Sequence, residues 1–212
     1  VEHAGSHGGQ CPTPQAASAT NISIKNSLLV SSSGLELHHG NSEGSPFEIT
    51  LERNFFCTRS ALIIFGAGEV FPATLHISDT LFTSDTAIIE TPKRIRDLYE
   101  NVEWHGRNNI YSCASLVRPG ERSLRPTSRW AQALTTMPQW HFLWRQQDQG
   151  SIQHDLEYRK HIGHYLFNPI EINAEILNQV PKSVAPLPTT GPIINEIGPG
   201  EPYHRWRAAT GN

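Results

Sequence analysis

The chain has 212 residues, 37% hydrophobic and 17% charged, with 16 glycines, 15 prolines and a formal charge of -3. Such a balance describes a folded, loop-rich chain with apolar material for one core, and it excludes a disordered polymer. So small a net charge excludes global attraction to nucleic acid or an acidic membrane surface, so such a partner would need a local patch.

No apolar run approaches the ~20 residues of a membrane helix, and the longest, Ala61 to Phe65, has the length of a strand. A soluble domain without a membrane partner is therefore expected. The cysteines Cys11, Cys57 and Cys113 lie in no CxxC pair and cannot complete an even disulfide framework, which argues against a zinc ribbon or a stapled miniprotein. Val1 to Gly9 has neither a basic start nor an apolar stretch, so no signal peptide is read there and the compartment stays open.

In chain order, residues 1–20 read as an extended arm rich in Gly, Pro, Ala and Ser. Short β-favouring runs follow: Ile22 to Val30, Leu35 to His38, Phe47 to Leu51, Ala61 to Phe65, Ala73 to Ile77 and Thr86 to Ile89. Turn clusters such as Ser31-Ser32-Ser33-Gly34 and Gly66-Ala67-Gly68 separate them, the latter read as a hairpin turn because it lacks the third glycine of a dinucleotide loop. The pattern predicts a mainly antiparallel sandwich or barrel-like sheet. A parallel solenoid would be announced by a repeat of fixed period, and none is evident.

A helix is predicted from Thr91 as N-cap with Pro92 at its first position, carrying Ile95, Leu98, Tyr99 and Val102 on one face. Asn109 to Val117 returns to the sheet, and a second helical stretch covers Ser128 to Arg145, broken or restarted at Pro138. Its Trp130, Leu134, Met137, Trp140 and Trp144 recur at helical spacing, which is the mark of core packing. A third helix is predicted from Asn168 to Pro181. The fold class is thus α+β and β-rich, with about three helices: an arm over 1–20, a single domain over 21–182 and an extended Pro- and Gly-rich tail over 183–212.

No GxSxG elbow, Walker loop, HExxH, EF-hand loop or GxGxxG is present. The best catalytic candidates are Cys57 as thiol nucleophile, His76 as its base and Asp79 or Glu69 to orient the histidine, brought together across the hairpin between two neighbouring strands. This segment, residues 55 to 79, resembles bacterial glutamine deamidases of the cytotoxic-necrotizing-factor type and the chemotaxis deamidases. The resemblance implies a β-sandwich with Cys and His on adjacent strands, although Phe56 stands where those families commonly place a small residue. It also implies a protein or small amide as substrate.

His3, His7 and Cys11 repeat at four-residue intervals, but the surrounding glycines argue against a helix, and His161 with His164 lacks further ligands, so no metal and no cofactor are assigned. Lys93, Arg94, Arg96, Arg107, Arg118, Arg122, Arg125 and Arg129 interleave with Trp104, Tyr111 and Trp130, a composition that can hold a polyanion. Three functions follow: a cysteine-dependent amidohydrolase, a structural subunit of a multi-chain or homo-oligomeric assembly, and a polyanion- or nucleic-acid-binding module.

Overall fold

A computed structural model describes residues 15–16, 21–37, 47–64, 72–91, 94–119 and 132–156. Its strands are β1 (Gln15–Ala16), β2 (Asn21–Lys25), β3 (Leu28–Leu37), β4 (Phe47–Glu52), β5 (Phe55–Ile64), β6 (Ala73–Ser78), β7 (Leu81–Thr91), β8 (Val102–Arg107), β9 (Ile110–Pro119), β10 (Asp148–Gln149) and β11 (Ile152–Gln153). Two short helices interrupt them, α1 (Ile95–Asn101) and α2 (Met137–Leu143).

The strands form two sheets, one in the order β1-β3-β5-β7-β9-β11 and the other β10-β8-β6-β4-β2. Every pairing between them is parallel. Odd and even strands alternate between the sheets, so the described chain is a parallel β-solenoid. This corrects the predicted antiparallel sandwich. β5 and β6 belong to different sheets and are not a hairpin pair; the Gly66 turn itself lies outside the described residues.

The physical reason for the misreading is the outer face of the five-stranded sheet. β4, β6 and β8 bury Phe47, Ile49, Leu51, Ala73, Leu75, Ile77, Val102 and Trp104, while the alternate residues reach solvent. That alternation is the usual mark of a half-solvated antiparallel sheet, since parallel sheets are commonly covered on both faces.

A corner joins each strand of the five-stranded sheet to the strand of the six-stranded sheet that follows it. Asn26, Arg53, Asp79, Asn108 and Gly150 all adopt a left-handed conformation there, with φ of 49°, 53°, 50°, 54° and 68°. Asn, Asp and Gly tolerate this region best, so four of these five positions suit their residue and Arg53 is the exception. At Gly150 a side chain would also meet Asn108 Oδ1 at 2.6 Å. The corners recur after 27, 26, 29 and 42 residues. Loops of unequal length between rungs therefore hide the period.

The residue after each corner joins a ladder running along the solenoid. Asn54 Oδ1 accepts from the Ser27 N–H at 3.0 Å, Thr80 Oγ1 from Asn54 N–H at 3.4 Å, Asn109 Oδ1 from Thr80 N–H at 3.0 Å and Ser151 Oγ from Asn109 N–H at 2.9 Å. Asn54 and Asn109 also donate from Nδ2 to the carbonyls of Ile24 and Ile77. Peptide N–H groups at the turns, which the strand ladders cannot serve, are satisfied this way.

The long strands bend midway. Ser32, Arg59, Asp85 and Ala114 are exposed at equivalent points of β3, β5, β7 and β9, and the register shifts between Thr58 and Ser60 and between Ser84 and Ala87. An extra residue of this kind kinks a strand and re-aims its side chains. Inside, Phe56, Phe82 and Tyr111 stack at centroid separations of 4.9 and 5.6 Å.

The helices also depart from expectation. Thr91 is the last residue of β7, Arg94 is the N-cap of α1, and Val102 already begins β8. Ile95 and Leu98 are buried as the periodicity predicts. Pro138 starts a helix rather than breaking one: Thr136 caps α2, with Gln139 Oε1 accepting its N–H at 3.2 Å. Leu134, placed in a helix by its spacing, forms an antiparallel bridge with Val117. The predicted Asn168 helix, the 1–20 arm except for β1, and the 183–212 tail lie outside the described residues.

Candidate functional site

Cys57, His76 and Asp79 are not gathered into one site. Cys57 lies in β5, opposite Val30 and Thr83 on the neighbouring strands, and is fully buried. Burial pushes its thiol up to about 12, away from the thiolate that nucleophilic attack requires. His76 lies in β6 of the other sheet, on its outer face, with a side chain 46% exposed. Its ring stacks on that of His105 at 4.9 Å, and the carboxylate that reaches it is Glu48, at 3.9 Å. Asp79 is the left-handed corner residue after β6, held by Asn108 Nδ2 at 3.3 Å and near Arg107 at 3.9 Å. Glu69 lies outside the described residues.

Two aromatics of the basic stretch are likewise unavailable for stacking on a ligand. Trp104 and Tyr111 are fully buried, while Arg122, Arg125, Arg129 and Trp130 lie outside the described residues. Among the described residues, no three His, Cys, Asp or Glu side chains lie close enough to hold a metal ion. No described helix is long and apolar enough to cross a membrane.

Among the described residues, the two ends of the solenoid are where the structure is most unequal. At the β10–β11 end, Trp140 of α2 stands edge-on to Trp104 at 4.9 Å, and Trp144 stacks on Trp104 at 5.3 Å. Asp148, almost fully buried, accepts from Tyr111 Oη at 2.6 Å, from Trp140 Nε1 at 2.5 Å and from the Ser151 hydroxyl. The bare backbone of Gly106 makes room for this carboxylate, which a Cβ there would strike. Burial, followed by the adjacent Asp148, holds the Tyr111 phenol well above its ordinary range. The network closes the end with aromatic surface and leaves no oxygen of Asp148 idle.

Comparison with family models, curated proteins and solved structures returned no match.

At the opposite end, β2 is the last strand of its sheet and pairs with β4 alone among the described strands. Its inward residues Ile22 and Ile24, with Leu29 of β3, pack on the core but stay only partly buried. The direction of its peptide groups follows from the corner. The Asn26 N–H donates to Glu52 O at 2.8 Å, and peptide groups in a strand alternate sides, so those of Ile22 and Ile24 face β4 while those of Ser23 and Lys25 face away. Lys25 is tied to Glu52 at 2.8 Å, which keeps its charge on the outer surface. An edge strand with outward-facing peptide groups and half-covered isoleucines is a template for another strand.

Sequence reasoning missed both the corner ladder and the inequality of the ends. One signal was present: Lys25-Asn26-Ser27-Leu28, Glu52-Arg53-Asn54-Phe55, Ser78-Asp79-Thr80-Leu81 and Arg107-Asn108-Asn109-Ile110 share three polar residues followed by an apolar one. Reading those triplets as one repeated corner would have exposed the rungs.

Proposed function

We propose that this chain is a structural subunit of a multi-chain assembly, a rigid β-solenoid that acts by pairing with a neighbour at its β2 end. The observation that carries this reading is the contrast between an end closed by Asp148 and its tryptophans and an end whose strand edge and isoleucines are incompletely covered among the described residues. A buried thiol pushed up to about 12 and a histidine on the outer face of another sheet lend the amidohydrolase reading no comparable support. The test is the mass of the 212-residue chain in solution, by light scattering during size exclusion over a hundredfold range of loading. A mass at a multiple of 23.6 kDa that falls on dilution is expected. A constant single-chain mass across the range would overturn the reading.

A further inference from the structure

We propose that the partner at the β2 end is a second copy of this chain, docked about a two-fold axis with the two β2 strands antiparallel and Ser23 facing Ser23 of the partner subunit. This rests on the assembly reading and goes further by naming the partner and the register.

The first support is that, among the described residues, the far end offers no long strand edge for head-to-tail stacking. That arrangement would seat the β2 edge on the far end of a neighbour, where β10 and β11 are each two residues long and α2 with Trp140 and Trp144 closes the core. A contact using the same patch on both copies remains, and two-fold symmetry requires it to be antiparallel.

The second support is the sequence of β2 itself, Asn21-Ile22-Ser23-Ile24-Lys25, whose polarity is symmetric about Ser23. In an antiparallel pair centred there, Ile22 faces Ile24 of the partner subunit on the core side, so two half-covered isoleucines on each copy complete one another. On the solvent side Lys25 faces Asn21 of the partner subunit, so the strand's one charge does not oppose its own copy. Any register shifted by one residue along the strand would set isoleucine against the polar face.

The third support is the direction of the peptide groups. Those of Ser23 point away from β4, which is what a hydrogen-bonded antiparallel pair at Ser23 requires. The five-stranded sheet would then run unbroken into that of its copy.

The test uses the full chain in two forms. Ser23→Pro removes one outward-facing N–H and leaves the β4 pairing intact, so far-UV circular dichroism should match the original protein while the dissociation constant of the dimer rises at least about tenfold. Ser23→Cys in a Cys11→Ser background places two thiols on residues whose Cα atoms are about 5.5 Å apart in such a pair, within disulfide reach. Mild oxidation should yield a covalent dimer whose linked peptides join position 23 to position 23, the native Cys57 and Cys113 being buried. If Ser23→Pro fails to fold, the cross-link decides alone. An assembly that resists Ser23→Pro and forms no 23-to-23 disulfide would overturn this inference and leave the assembly reading standing. A wild-type chain that is monomeric throughout would overturn both.

Discussion

Among the described residues, the β2 end and the α2 end of this solenoid are built from the same rung, yet one is closed and the other is not. Each rung stacks apolar residues on those of its neighbours, so the last rung at either end exposes a cross-section of the core unless something is laid over it. At one end the chain between β9 and β10 supplies α2, and Trp140, Trp144 and Asp148 complete the closure. At the other, Ile22, Ile24 and Leu29 remain only partly buried. A closed end is a cooperative polar and aromatic network, whereas the half-buried β2 end is where we propose that a partner docks.

The largest effect that would sharpen this contrast is at Asp148. Asp148→Ala leaves the Tyr111 hydroxyl, the Trp140 indole and the Ser151 hydroxyl without their acceptor. A loss of about 3–5 kcal/mol in urea unfolding followed by tryptophan fluorescence is expected. A loss under about 1 kcal/mol would mean that the closed end is held by apolar packing alone.

A smaller effect compares the corner ladder near each end. Asn109→Ala orphans the buried Thr80 N–H and removes the bond to the Ile77 carbonyl, and is expected to cost about 2–4 kcal/mol. Ser27→Ala at the β2 end removes only a hydroxyl bond to the Lys25 carbonyl, because the Ser27 amide keeps its partner Asn54, and should cost under about 1 kcal/mol. Equal losses by chemical denaturation would break the comparison.

The smallest effect at neutral pH concerns titration. The Cys57 thiol and the Tyr111 phenol are both raised by burial, so the folded chain holds their protons after the unfolded chain has released them. Their contribution is therefore whole below the unfolded values of about 8.5 for Cys and 10 for Tyr, and is lost as pH rises through the folded ones. Unfolding free energy should fall by about 1.4 kcal/mol per pH unit above pH ~8.5 and about twice as steeply above pH ~10. Cys57→Ala should delay the onset to pH ~10. A flat profile between those values, or ready alkylation of native Cys57 at neutral pH, would show that the thiol is reachable by solvent.

The sequence by itself determined that the chain is β-rich, where most strands lie, and that Ile95, Leu98, Trp140 and Trp144 pack inward, because periodicity and residue type act locally. It suggested strand partners through the shortest loop between Cys57 and His76, and that guess placed side by side two residues that stand in different sheets. Only the tertiary structure decided that successive strands separate, that each pairs with the next strand but one, and that a corner residue in left-handed conformation directs the change. Pairing lies between residues some 26 positions apart, where local propensity carries no information, and the polar ladder that holds it exists only once the rungs have stacked. The inequality of the two ends is of the same kind, since Ile24 and Ile77 share a strand pattern and differ only in what is laid beside them.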